Sequence, residues 1–258
     1  MNIEYHRWWS PHLGHDMELK VYGHDGKAVL VFPSAGGKFY EYEDFDMVEA
    51  CRLFIDTGKI KLFTVDSIDD QTWLNYGIYP DERARRHNDY ERYIIREVIP
   101  FIRSHGILYE KMMVTGCSMG GTHAANFFFK HPDVFDTVVA LSGVYGSWYF
   151  LGDFMDEQTY FHFPLTYLPN LNDPWYLDRY RKSDIIFCVG QGAWEQESLP
   201  DTWAIKAILA EKNIPAWIDF WGYDVNHDWP WWQKQIAYFL GHLPFTRQKE
   251  VPEAPKVS

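Results

Sequence analysis

Five consecutive residues, Gly116-Cys117-Ser118-Met119-Gly120, set a serine between two glycines, with Gly121 directly behind them. A serine hydroxyl attacks a carbonyl only when a base takes its proton and the backbone is bent sharply enough to expose it. The apolar run KMMVT leads into the motif and the helical pattern THAANFFFKHP leaves it. That is the strand-turn-helix setting of a nucleophile elbow, in which the turn lifts Ser118 clear of the sheet. Side chains at 116 and 120 would meet the neighbouring strand and helix, and glycine removes them.

A serine nucleophile needs a histidine base, expected on a loop after the last strand. Of eleven histidines, His227 lies in GYDVNHDWPWW, between the strand AWIDFWG and a final amphipathic helix whose Trp232, Ile236 and Leu240 share a face. His123 is five residues beyond the serine, and His105, His131 and His242 fall at helix ends. His12 and His15 in HLGH read as a polar loop, since no third metal ligand accompanies them.

The imidazole needs a carboxylate to orient it, and in a serine-acid-histidine chain order the loop after DIIFCVG offers Glu195 in QGAWEQES. Glu197 is two positions on, Asp201 is more distant, Asp184 precedes its strand and Asp224 shares the histidine loop. Donors for a developing oxyanion are expected from the amide of Met119 and from VFPSAGG, where Ala35 and Gly36 are the nominees. No cofactor and no metal is called for by this chemistry.

The elements that must position these groups are short β-rich runs near residues 17–22, 28–32, 60–65, 112–115, 137–141, 185–189 and 216–221, alternating with helical patterns from about residue 43. KMMVTG, TVVALSG and DIIFCVG are apolar almost throughout, as strands covered on both faces are. The fold class is therefore α/β, with a mostly parallel central sheet flanked by helices. Within 89–103, Tyr90, Ile94, Val98, Phe101 and Ile102 form one helical stripe, and Pro100 is expected to kink it. The stretch 145–181 carries twelve aromatics with no clean period, and is expected to be either a substrate-shaping cap or a satellite cluster on the sheet. Trp148 and Tyr149 within it, and Trp73 after an earlier strand, are the candidate substrate contacts.

The 258 residues carry 36 acidic and 24 basic side chains, for a net charge of −12. Such a chain lacks the basic clusters that phosphate backbones require, so no nucleic acid partner is expected. No run of about 18 to 20 apolar residues is available for a membrane helix, and the start MNIEYHRWWSPH is unlike a secretory signal, so the expected location is cytoplasmic. Three cysteines without a CxxC pair, Cys51, Cys117 and Cys188, are expected to be reduced and buried. One domain is expected over 1–247, followed by a loose tail over 248–258. Aromatics on 145–181 leave a homo-oligomer open.

VFPSAGGKFYEYED, VDSIDDQTW, GCSMGGTHAANFFFKHPDVF and GYDVNHDWPWWQKQIAYFL together resemble the putative-esterase family of α/β-hydrolases over roughly residues 15 to 243. That group includes esterase D-type S-formylglutathione hydrolases and mycobacterial mycolyltransferases. The resemblance implies an α/β-hydrolase fold, a Ser118, Glu195, His227 triad, and a carboxylesterase-like serine hydrolase acting on a small-molecule ester. An acyltransferase would use the same acyl-enzyme. A non-catalytic binding protein on this fold would have lost nucleophile or base, and both residue types are present.

Overall fold

In the computed structural model, residues 1–106, 109 and 111–245 are described. The expected tail over 248–258 and the expected domain boundary at 247 lie outside them. Eight strands form one sheet: β1 (Ile3–Ser10), β2 (His15–Tyr22), β3 (Lys27–Phe32), β4 (Ile60–Val65), β5 (Met112–Cys117), β6 (Phe135–Leu141), β7 (Asp184–Val189) and β8 (Trp217–Phe220). Their order is β1-β2-β4-β3-β5-β6-β7-β8. The β1–β2 and β2–β4 pairs are antiparallel and the other five are parallel. All of β3 to β8 therefore run the same way, and their C-terminal ends share one rim of the sheet. This is the α/β-hydrolase architecture.

Burial on both faces explains the apolar strands. Along β3, Ala28, Leu30 and Phe32 enter one core and Val29 and Val31 the other, as the two-residue period of a strand requires. Four longer helices cover the sheet: α1 (Pro80–Tyr93), α2 (Met119–Lys130), α3 (Ser198–Glu211) and α4 (Trp229–His242). α2 supplies Phe127, Phe128 and Phe129 to the first core, whereas α4 supplies Trp232, Ile236, Phe239 and Leu240 to the second.

β1 is absent from the expected strands. Its exposed and half-buried residues alternate along the sheet edge, where only β2 pairs with it, so the run never becomes uniformly apolar. The stripe predicted over 89–103 is real, with Tyr90, Ile94, Val98 and Ile102 all buried. The helix carrying it opens into a π turn at Ile94–Val98 before continuing as Ile99–Ser104. Pro100 has no N–H to return to the carbonyl four residues earlier, and the widened turn lies immediately upstream of it.

The aromatic stretch is a chain of short helices, Trp148–Leu151, Tyr160–His162, Pro164–Tyr167, Leu168–Asn170 and Pro174–Tyr180. Its rings divide by location: Tyr145, Tyr167 and Tyr180 join the core beside α2, and Phe150 and Phe163 form a separate cluster with Trp73 and Met119. The three cysteines are free and buried.

Glu91 ties α1 to the end of α2 by accepting from the Lys130 ammonium and from His131 Nε2 at 2.9 Å. Burial works to raise its carboxyl, but the His131 hydrogen bond and the Lys130 charge outweigh it and hold the group at about 2. A depressed carboxylate stabilises the fold above its unfolded value, near 4.5, and this contribution is lost as pH falls through the folded value. Glu91→Gln should cost up to about 3 kcal/mol at neutral pH. In urea unfolding followed from about pH 6 towards pH 2, the gap between wild type and variant should close as the acid limb is descended.

Candidate active site

β5 ends at Cys117 and α2 begins at Met119, leaving Ser118 alone in the bend with φ +55° and ψ −123°. A non-glycine residue at positive φ stores strain of about 1–3 kcal/mol, which surrounding structure must hold. Close backbone packing provides that hold. A Cβ on Gly116 would lie 2.4 Å from the Gly120 carbonyl, and one on Gly120 would lie 2.5 Å from the Phe32 oxygen. Cys117 beside the serine is buried, and that burial pushes its thiol up, away from the reactive thiolate.

His227 follows β8 on a loop laid against the loop that follows β7. Gly192 N–H donates to the Val225 carbonyl at 2.8 Å and His227 N–H to the Ala193 carbonyl at 2.9 Å. This approach requires glycine, because a Cβ on Gly190 would sit 2.1 Å from the Val225 oxygen. The imidazole stands edge-on to Trp232, centroids 4.9 Å apart. Its Nε2 is 2.8 Å from Ser118 Oγ and its Nδ1 is 3.1 Å from Glu195 Oε2. Glu195 is 1% exposed. Its Oε1 accepts from Ser142 Oγ at 2.6 Å and from Gly190 N–H at 3.3 Å.

Ser142 was not anticipated. It sits just past the end of β6 at φ +51°, and its hydroxyl accepts the Trp232 Nε1 proton at 3.0 Å. The only local signal was a hydroxyl directly after the apolar strand TVVAL, at the rim where all parallel strands end.

The other candidates are engaged elsewhere. Asp201 accepts the Tyr145 and Gly146 amides at 2.7 and 2.8 Å, Asp184 opens β7 at the opposite end, and Asp224 is exposed. Glu197 lines the pocket beside Ser118 without touching His227. His131 is held by Glu91, His242 by the Tyr238 carbonyl, His12 by Glu97 and His15 by the Asp16 carbonyl. His123 is buried against Asp69. Among the described residues, Glu4, His6 and His105 bring three potential metal-ligand atoms within 4.8 Å of one another. They belong to edge strand β1 and the residue after the Ile99–Ser104 helix, and none lines the Ser118 pocket.

A pocket of about 130 Å³ opens at Ser118 and His227, lined by Ala35, Leu74, Met119, Val144, Tyr149 and Phe150, with Trp194 beside it. The Met119 and Ala35 expectations thus fall on the pocket wall, and so does Tyr149. Gly36 differs: its N–H is directed to Asp69 Oδ2 at 3.1 Å, so it cannot also serve an oxyanion. Ser34 on the other side gives both its N–H and its hydroxyl to Glu41, each at 2.7 Å. Burial is the main influence raising the Glu41 carboxyl, reinforced by nearby Asp69. Ala35 N–H, between these clamps, has no protein acceptor among the described residues.

Trp73 and Trp148, expected as substrate contacts, do not line this pocket. Trp73 is 1% exposed and packs on His87, His162 and Phe163, because the 3-10 turn Asp69–Gln71 directs it into the interior and leaves Leu74 on the pocket wall. Trp148 is 70% exposed and outside the lining; Phe150, two residues on in the same short helix, reaches the pocket instead.

The sequence profile of the family described as "Putative esterase" matches residues 21–243, and the chain belongs to that family of esterase enzymes. No curated protein matches it. Solved structures share its fold at low identity. A ferulic acid esterase superposes with TM-score 0.73 at 15% identity, over 93% of this chain and 96% of the other. An S-formylglutathione hydrolase from Agrobacterium tumefaciens gives 0.72 at 13% identity over 93% of each chain. MPT51 (FbpC1) of Mycobacterium tuberculosis gives 0.71 at 14% identity, over 94% and 97%. No helix among the described residues is long and apolar enough to cross a membrane.

Ser142→Ala leaves the Trp232 N–H buried without its acceptor and takes one donor from Glu195. The expected loss is about 1–3 kcal/mol of stability by urea denaturation, with ester turnover reduced about tenfold as the Glu195 carboxylate is held less firmly.

Proposed function

We propose that the chain is a serine carboxylic-ester hydrolase working through an acyl-enzyme on Ser118, with His227 as base and Glu195 as its orienting acid. The observation that carries this reading is one continuous chain of hydrogen bonds, 2.8 Å from Ser118 Oγ to His227 Nε2 and 3.1 Å from His227 Nδ1 to Glu195. With Glu195 fixing the proton on Nδ1, Nε2 is the free lone pair that faces the hydroxyl.

In the first half-reaction Ser118 Oγ bonds to the ester carbonyl carbon as His227 Nε2 takes the hydroxyl proton. The carbonyl oxygen becomes an oxyanion, received by the amides of Ala35 and Met119. The latter is the first residue of α2, where helix N–H groups have no intrahelical partner. Collapse expels the alcohol, which leaves with the proton from His227. Water then repeats the sequence against the acyl-enzyme: His227 removes its proton, the carboxylic acid departs and the proton returns to Ser118. The buried Glu195 carboxylate stabilises the imidazolium formed in each half.

The pocket volume of about 130 Å³ and its largely apolar wall favour a short acyl chain.

Two measurements test the reading. A fluorophosphonate probe should label the peptide containing Ser118, and Ser118→Ala should abolish labelling and lower turnover of p-nitrophenyl acetate by at least about 10⁴-fold. Across p-nitrophenyl esters, kcat/KM should fall from acetate and butyrate to octanoate. Full esterase activity in Ser118→Ala refutes the assignment, and a preference for octanoate refutes the acyl-size argument.

A further inference from the structure

The loop that carries the Ala35 amide, Pro33 to Gly37, holds only small side chains, yet an oxyanion donor must lie within about 2.7–3.1 Å of its target. Something outside the loop must fix it. Glu41 fixes the Ser34 side from seven residues ahead in the chain. On the other side Gly36, at φ +68°, gives its N–H to Asp69 Oδ2, and the second Asp69 oxygen lies 3.0 Å from His123 Nε2. Asp69 and His123 are each 2% exposed.

His123 stands on α2, five residues after Ser118. Its Nδ1 is 3.4 Å from His87 Nε2 on α1, and the two rings stack at 16°. One proton arrangement satisfies the whole row. Asp69 accepts twice, from Gly36 N–H and His123 Nε2–H, so His123 Nδ1 accepts from His87 Nε2–H. That leaves His87 Nδ1 as a bare lone pair, and it is the His87 nitrogen buried without a partner.

We propose that Asp69 and His123 are positioning residues for the oxyanion donor: their buried hydrogen bond ties the loop bearing Ala35 to the helix that Ser118 opens. Donor and nucleophile are thereby fixed to one rigid element, and their separation is set inside the core, away from solvent. The inference rests on the ester-hydrolysis reading of the Ser118 site. A displacement of the loop by about 1 Å is enough to cost of the order of 10²-fold in rate.

The experiment compares wild type, Asp69→Ala and Asp69→Asn, counting active sites by fluorophosphonate titration so that rates refer to folded enzyme. Asp69→Ala should lower kcat on p-nitrophenyl acetate by about 30- to 100-fold with KM within about threefold. It should weaken by a similar factor the inhibition by an alkyl boronic acid, whose tetrahedral adduct with Ser118 places an oxygen in the oxyanion position. Asp69→Asn should return to within about fivefold of wild type. Its oxygen still takes the Gly36 N–H, while its NH₂ donates to the other His123 tautomer, whose Nδ1–H is accepted by His87 Nε2 once His87 carries its own proton on Nδ1.

A merely structural role lowers the melting temperature without moving kcat per titrated site or boronate affinity. Asp69→Ala within threefold of wild type in both, or Asn as impaired as Ala, overturns the proposal. If Asp69→Ala yields no folded protein, His123→Leu, expected to lower both by about tenfold through the freed Asp69, decides it by the same readouts. Failure of wild-type Ser118 to label refutes the ester-hydrolysis reading itself and is seen before any Asp69 variant is made.

Discussion

The site depends on one close approach of backbone to backbone. The first turn of α2 rests on the end of β3, where only hydrogen separates the Gly120 Cα from the Phe32 and Pro33 oxygens, and it folds back on Gly116 in the same way. That contact places the N-terminus of the helix over the sheet rim and holds Ser118 at a backbone angle it would otherwise leave. It also brings the β3 exit loop, with Ala35, to the same spot. Ser118 and the Ala35 loop are thus placed by a steric fit that owes nothing to the side chains of His227 and Glu195.

The parallel run of β3 to β8 does the rest. Because every one of these strands ends at the same rim, loops separated by dozens of residues are delivered side by side: Ala35 after β3, Asp69 after β4, Ser142 after β6, Glu195 after β7 and His227 after β8. Each contributes to the site or to its support. The opposite rim carries Asp184 at the start of β7, which is why an otherwise suitable carboxylate in the sequence has no part here.

What could be read from the sequence followed from local demands. The glycines around Ser118 announce a steric need two residues away, and His227 and Glu195 were placed by chain order and by the strands before them. The supporting groups answer to partners far off in the chain: Ser142 to Trp232, Gly36 to Asp69, Asp69 to His123. No spacing in the sequence encodes such pairs. Trp73 shows the limit from the other side. Its Cα follows a strand exit as expected, but the 3-10 turn Asp69–Gln71 decides which of Trp73 and Leu74 faces the pocket, and that rotation is set by packing on His87 and Phe163. β1 stayed hidden because an edge strand with one neighbour needs no continuous apolar run.

The support of Glu195 explains how a histidine on a largely exposed loop is held still. Tyr223 and Asp224 nearby face solvent, and the backbone bonds at Val225 and His227 hold the loop against the one after β7 without orienting the imidazole ring. The side chains instead form a closed circuit. His227 binds Glu195 Oε2, Glu195 Oε1 binds Ser142, Ser142 takes the Trp232 indole proton, and the Trp232 ring stands edge-on against His227. Two members of the circuit, Ser142 and Trp232, belong to the buried frame at the end of β6 and in α4. The two oxygens of Glu195 therefore have separate duties, one orienting the imidazole and one anchoring to that frame. A loop residue acquires the positional precision of the core because the carboxylate between them is bonded on both sides.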